Sequence, residues 1–437
     1  MFLIKRVYIS IIIIIISLFV FFKQDLVDFI IFTYKDINNF IAGDPDERPL
    51  TLSEKILNDI GLTASRYMAE SPQVLDGQLK KTALIKINSP YVNNFFNIRS
   101  INKNVLRDKL LLFSSKNQSK DGNTFFFLID LFSNKIIHHW MLNENIYKDL
   151  LGEELYSNKT NRFPATFSLS SNGDLFLANN SSLLKLDKCS NIKWIYAKSV
   201  HHLFGLTSNE DFIWVIEADF FSKINSTTGM QVNKITWDDI LVANPDLFIN
   251  YSRKNVFENY ELEDSLHWND IEPLGKKYAK FFSEYKENDL LISNRNENTV
   301  FILDPRNLKI KDFFIGHFNR QHDPDWGKGF ISIFNNNPNL PNRKNDGSNL
   351  IFIKNFENSK AKISKFNLNL YTRFEGNHDI EDNLILATSS RQGIIQIYND
   401  SSVIFRLDNV EHKGEFNLVI NQSELINKND IVLSKCE

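Results

Sequence analysis

From about residue 80 onward one pattern recurs. An acidic or Asn pair precedes a short apolar strand, then a few polar residues, then a second strand ending in Ile- or Leu-Asp/Asn. A tight turn follows, and an apolar strand that usually carries an aromatic. The clearest copies are Asn172–Tyr196, Glu210–Trp237, Asn288–Ile315 and Glu381–Leu407, with weaker ones at Leu128–Trp140 and Lys365–Phe374. The turn residues are Asp130, Asp187, Asn225, Asp304, Asn367 and Asn399. A unit of three or four strands repeated six times with uneven insertions predicts an all-β fold, a six-bladed β-propeller. A solenoid would space its repeats more evenly. Gly is scarce at 16, so Asn is expected to take many left-handed turn positions. The 37 Phe residues favour strands as well.

Of 437 residues, 43% are hydrophobic and 24% charged, which excludes a disordered chain. A net charge of −3 removes bulk attraction to nucleic acid, so no nucleic-acid partner is expected. Two cysteines, Cys189 and Cys436, exclude a disulfide-rich scaffold and an all-cysteine zinc site, and leave one bridge open.

Lys5 and Arg6 precede a nearly unbroken apolar run from Val7 to Phe22, closed by Lys23. This predicts a transmembrane helix with a cytoplasmic amino end and the remainder exported. A cleaved signal peptide is the rival, but no small-x-small site follows Phe22, which favours an uncleaved signal anchor. The resulting organisation is a signal anchor at 1–30, a linker with a short helix at 31–79, and a propeller domain at 80–437.

Six histidines, His201, His202, His267, His317, His322 and His378, lie in segments leading into the first clear strand of four repeats. In a propeller such positions are related by rotation and meet at one mouth of the channel. His138 and His139 end a strand of the first copy, and His412 lies past the last. The densest segments are LHWNDIEP, which sets His267 and Asn269 two apart and so on one strand face, and QHDPDWGKG, where a turn at Asp323-Pro324-Asp325 would hold His322. Arg295 follows the intervening strand and offers a planar fork to a tetrahedral oxyanion. Imidazoles with Arg and Asn suit sulfuryl or phosphoryl transfer through a histidine nucleophile. No HxH or HExxH spacing supports a metal, no Gly-rich loop supports a nucleotide donor, and no GxSxG elbow supports a serine hydrolase. No cofactor is expected.

In these segments the chain resembles the bacterial arylsulfate sulfotransferases, the PAPS-independent arylsulfotransferase family. The likeness runs through FLIDLFSNKIIHHW, NGDLFLAN with LLKLD and IKWIY, SVHH, LHWNDIEP, NDLLISNRNENTVFILD and FNRQHDPDWGKGFISIFNNN. The resemblance implies a six-bladed periplasmic propeller, here held at the inner membrane by its single anchor. It implies ping-pong transfer of a sulfuryl group from an aryl sulfate donor to a phenolic or other hydroxyl acceptor. By motif, His322 corresponds to the transiently sulfurylated histidine. His267, Asn269 and Arg295 correspond to the sulfuryl-binding group, and His202, or His201 beside it, to a further histidine at the channel mouth. His378 receives no role from the resemblance. The chain departs from the family pattern at HHLFGL, GSNLIF and ISNRNEN. The rival functions are a non-catalytic propeller binding a glycan or protein at its rim, and a metal-dependent hydrolase.

Overall fold

The computed structural model describes residues 79, 81–88, 91–92, 94–115, 123–152, 166–179, 181–200, 202–217, 220–246, 267–336, 347–354, 361–372, 375–390, 392–411, 417–433 and 436. They form six antiparallel sheets, the blades of a propeller. From the inside outward, blade II comprises Thr166–Leu169, Leu175–Asn179, Ser182–Leu186 and Ile192–Tyr196. Blade III comprises Gly205–Leu206, Phe212–Glu217, Phe220–Asn225 and Gln231–Thr236. Blade IV comprises Trp268–Pro273, Leu290–Asn294, Thr299–Asp304 and Lys309–Ile315. Blade V comprises Gln321–Trp326, Phe330–Asn335, Asn349–Lys354 and Lys362–Asn367.

The ring closes at both ends of the chain, which the local repeat does not reveal. Blade I takes its inner strand, Ser423–Asn427, from the carboxyl end and pairs it with Lys109–Ser115, followed by Thr124–Asp130 and Lys135–Leu142. Blade VI runs Asn377–Glu381, Leu384–Ser389, Ile394–Asn399 and Ser402–Glu411, and is then extended by Asn94–Ser100 and Ile85–Asn88. A disulfide joins Cys189, in a turn of blade II, to Cys436. The question left open by the cysteine count is thereby answered.

One buried apolar cluster fills each seam between neighbouring blades. At the seam of blades VI and I, Phe96 and Phe113 meet edge to face at 5.0 Å between ring centres. The abundant Phe supplies these inter-blade layers. The inner strands approach too closely for side chains everywhere. A Cβ on Gly205 would lie 2.2 Å from Pro273 Cδ and 2.5 Å from the Ile271 carbonyl oxygen.

One expectation needs correction. The weak copy at Lys365–Phe374 is misplaced, because Asn367 ends the outer strand of blade V rather than its third strand. Asn does take left-handed positions, at Asn102, Asn134, Asn288 and Asn298, while the turn residues that close the third strands do other work. Asp130, Asp187 and Asn225 do not take the left-handed conformation; their side-chain oxygens accept backbone N–H groups two to four residues on. The left-handed residue comes later in each turn, at Asn134, Ser190 and Gly229. The proposed anchor, residues 1–30, and the linker up to residue 78 lie outside the described residues, and no described helix is long and apolar enough to cross a membrane.

Candidate active site

Bulges interrupt the inner strands of blades IV and V at corresponding places. In blade IV, Trp268 pairs with Asn294 and Asp270 with Ser293, leaving Asn269 as the extra residue. In blade V, His322 pairs with Phe334 and Pro324 with Ile333, leaving Asp323. The strict alternation expected for His267 and Asn269 is therefore broken, since His267 lies ahead of the strand. The Asp323-Pro324-Asp325 segment is strand rather than turn, and Pro324 is tolerated because it sits at a bulge on an edge strand. Left-handed backbone occurs at Asp323 (φ 53°) in the blade V bulge, at His267 (φ 51°) just ahead of the blade IV inner strand, and at His202 (φ 58°) ahead of the blade III inner strand. Each costs a non-glycine residue roughly 1–2 kcal/mol, strain of the kind that gathers at functional sites.

This backbone brings three of the singled-out histidines together. The Nε2 atoms of His202 and His267 are 2.8 Å apart, so one carries the proton that the other accepts. The rings of His202 and His322 lie edge to face at 6.1 Å between centres. His322 is buried, and its Nδ1 is 2.6 Å from Asn336 Oδ1. Asn336 donates its amide hydrogens to the carbonyls of Thr372 and Glu375, so its oxygen can only accept. His322 must therefore carry its proton on Nδ1, which leaves a lone pair on Nε2, and that buried atom has no hydrogen-bond partner. Burial, then the nearby Arg295 charge, pushes the His322 pKa down to about 3, so the ring is neutral at pH 7.

Arg295 is itself buried, and its backbone N–H donates to the His267 carbonyl. Asn269 spends an amide N–H on the Gln321 carbonyl at 2.7 Å, tying blade IV to the residue before His322, while its own buried Oδ1 has no partner. The Gln321 side chain donates back to the Asn294 and Thr299 carbonyls.

The remaining histidines go elsewhere. His201 and His412 lie outside the described residues. His317 is exposed in the connection between blades IV and V. His138 and His139 line a cavity of about 390 Å³ beside the Cys189–Cys436 disulfide, on the outer strand of blade I. His378 occupies the same place in its strand as His322, yet blade VI has no bulge there, and the imidazole bonds to Asp323 Oδ2 at 3.0 Å and Ser332 Oγ at 2.8 Å. Along these inner strands, burial and then repulsion from Asp323 raises the pKa of the Asp270 and Asp325 carboxyls, and burial raises those of Glu272, Asp379 and Glu424. Sequence reasoning missed Asn336; its one signal was the Asn run after the strand Phe330–Asn335.

The model of the family described as Arylsulfotransferase (ASST) matches residues 188–410, just over half of the chain. The chain belongs to the arylsulfotransferase family. The matched span takes in His202, His267, Asn269, Arg295, His322, Asn336 and His378. No curated protein sequence matches it. Among solved structures, a protein of unknown function from Bacteroides caccae is 10% identical, with 73% of this chain and 99% of that one covered at a TM-score of 0.43. The Pan2 WD40 domain of Neurospora crassa is 10% identical over 78% and 84% of the two chains, with a TM-score of 0.38. Virginiamycin B lyase from Staphylococcus aureus is 11% identical over 77% and 93%, also at 0.38. These likenesses are too remote to bear on function.

Proposed function

We propose that this arylsulfotransferase moves a sulfuryl group from an aryl sulfate to a phenolic or other hydroxyl acceptor in two steps, through a covalent adduct on Nε2 of His322. The observation that carries this reading is the buried, unpartnered and neutral Nε2, whose tautomer Asn336 fixes. In the first step the Nε2 lone pair attacks sulfur and the S–O bond to the aryl group breaks. The phenolate takes the proton that the His202–His267 pair shares in its singly positive form, which leaves both imidazoles neutral. Arg295 is close enough to depress the His322 pKa, and so to stabilise the charge on the transferring oxygens, while Asn269 is tied to the residue before His322. The adduct keeps the Nδ1 proton, which makes the imidazole a good leaving group. In the second step an acceptor hydroxyl gives its proton to the histidine pair, attacks sulfur and restores Nε2. A propeller that only binds at its rim has no use for an imidazole nitrogen buried without a partner.

The intact mass of the purified full chain after brief exposure to para-nitrophenyl sulfate tests this, beside a His322→Asn variant. One added sulfuryl group on the wild type alone is the expected result. No adduct and no nitrophenolate would overturn the reading. Location in the periplasm at the inner membrane, with the propeller exported, is part of the proposal. The charge pattern around Val7–Phe22 supports it, as does a disulfide, which persists in oxidising compartments. Protease added to spheroplasts should degrade the propeller; complete protection would refute export.

A further inference from the structure

We infer that His378 is a positioning residue, which aims His322 by pinning the bulged Asp323 from the neighbouring blade. This rests on the sulfuryl-transfer reading of His322. Asp323 is the extra residue of the bulge and follows His322 directly, in left-handed backbone. Its Oδ2 accepts both the backbone N–H of His378 and the ring Nδ1–H. The His378 side chain is fully buried, and its Nε2 is held by Ser332 Oγ, from the second strand of blade V, at 2.8 Å. One imidazole thus clamps the inner strand of blade V to its own second strand and to blade VI, at the residue that sets the direction of His322. Asp323, Asp325 and His378 stand close enough to one another to suggest a metal site. Their hydrogen bonds, however, already use both ring nitrogens, so a fixed joint accounts for them better.

Two consequences separate aiming from general support. Glycine adopts left-handed backbone freely, so Asp323→Gly keeps the bulge and removes only the carboxylate. The role assigned to His378 requires this variant to stay folded, though less stable than the wild type, and to bind aryl sulfate with KM roughly unchanged. Its rate of His322 sulfurylation should fall roughly tenfold to a hundredfold, the usual cost of a small misplacement. Asp323→Asn keeps an acceptor for the His378 N–H groups and should recover most of the rate.

The experiment is stopped-flow release of nitrophenolate from para-nitrophenyl sulfate by the full chain and these variants. Nitrogen NMR of histidine-labelled protein, reporting the His322 tautomer, accompanies it. A wild-type rate in Asp323→Gly, or a loss in Asp323→Asn as large as in Asp323→Gly, would overturn the inference. Should the wild type form no adduct, the sulfuryl-transfer reading fails by itself, and the spectra still decide the positioning role. A single Nδ1–H tautomer in the wild type that becomes mixed in Asp323→Gly supports it, and an unchanged spectrum refutes it.

Discussion

Asn336 Oδ1 and His322 Nδ1 are 2.6 Å apart, and the two carbonyls that hold the Asn336 amide leave only one direction for the proton between them. Replacing Asn336 with Ala frees both tautomers and removes the acceptor. The rate of sulfuryl-enzyme formation should fall by about one to two decades, in line with the loss of a group that orients a catalytic imidazole. Single-turnover kinetics would check this; an unchanged rate would show that the tautomer is held by something else.

The pH dependence follows from a His322 pKa near 3. Nε2 attacks only when unprotonated, and it is unprotonated throughout pH 5–8, so kcat/KM for the donor should show no acid limb from His322 in that window. Any limb found there belongs to another group. The unfolded chain binds this proton more tightly than the folded one, because the folded pKa lies below the ordinary 6.5. His322 therefore costs stability progressively as pH falls from about 6.5 towards 3. His322→Asn should resist acid unfolding better than the wild type, as read from circular dichroism at graded pH.

Glu424 behaves in the opposite sense. Burial, then the nearby Asp379, raises its pKa to about 8. The folded state binds that proton more tightly, so stability is lost as pH rises from the ordinary value of 4.5 through about 8. Glu424→Gln should melt several degrees above the wild type at pH 8 and at nearly the same temperature at pH 4. Equal melting at both values would count against a protonated Glu424.

The Cys189–Cys436 bridge lies in the cavity region of blades I and II, away from the channel histidines. Cys436→Ser should cost about 2–4 kcal/mol of stability while leaving turnover at low temperature unchanged. Denaturant titration together with a sulfotransfer assay would separate the two effects.

The ring of blades was legible because its second, third and fourth strands repeat locally, as in Asn172–Tyr196 and Asn288–Ile315. The inner strand was less so. Its residues answer to the channel and to neighbouring blades, and carry His, Asn and Asp instead of an apolar alternation, as Trp268–Pro273 and Gln321–Trp326 do. The bulges at Asn269 and Asp323 depend on the register of pairing with the second strand of each blade, so the direction of His267 and His322 could not be read from spacing. Ring closure by Ser423–Asn427 was hidden for the same reason: its partner Lys109–Ser115 lies some three hundred residues earlier. Asn336 carried no distinguishing pattern, because one Asn in an Asn run is indistinguishable from its neighbours until the carbonyls around it are known.

The seam sealed by Ser423–Asn427 also sets the order of events in the life of the chain. Leu425 gives its N–H to Asp379, and Ser423 and Asn377 exchange hydrogen bonds, so the inner wall of blade VI stays undressed until that strand arrives. A polypeptide emerging amino end first therefore holds His322 and its partners long before the channel around them is a closed vessel. On the mechanism proposed above, sulfuryl transfer waits until Ser423–Asn427 has closed the ring.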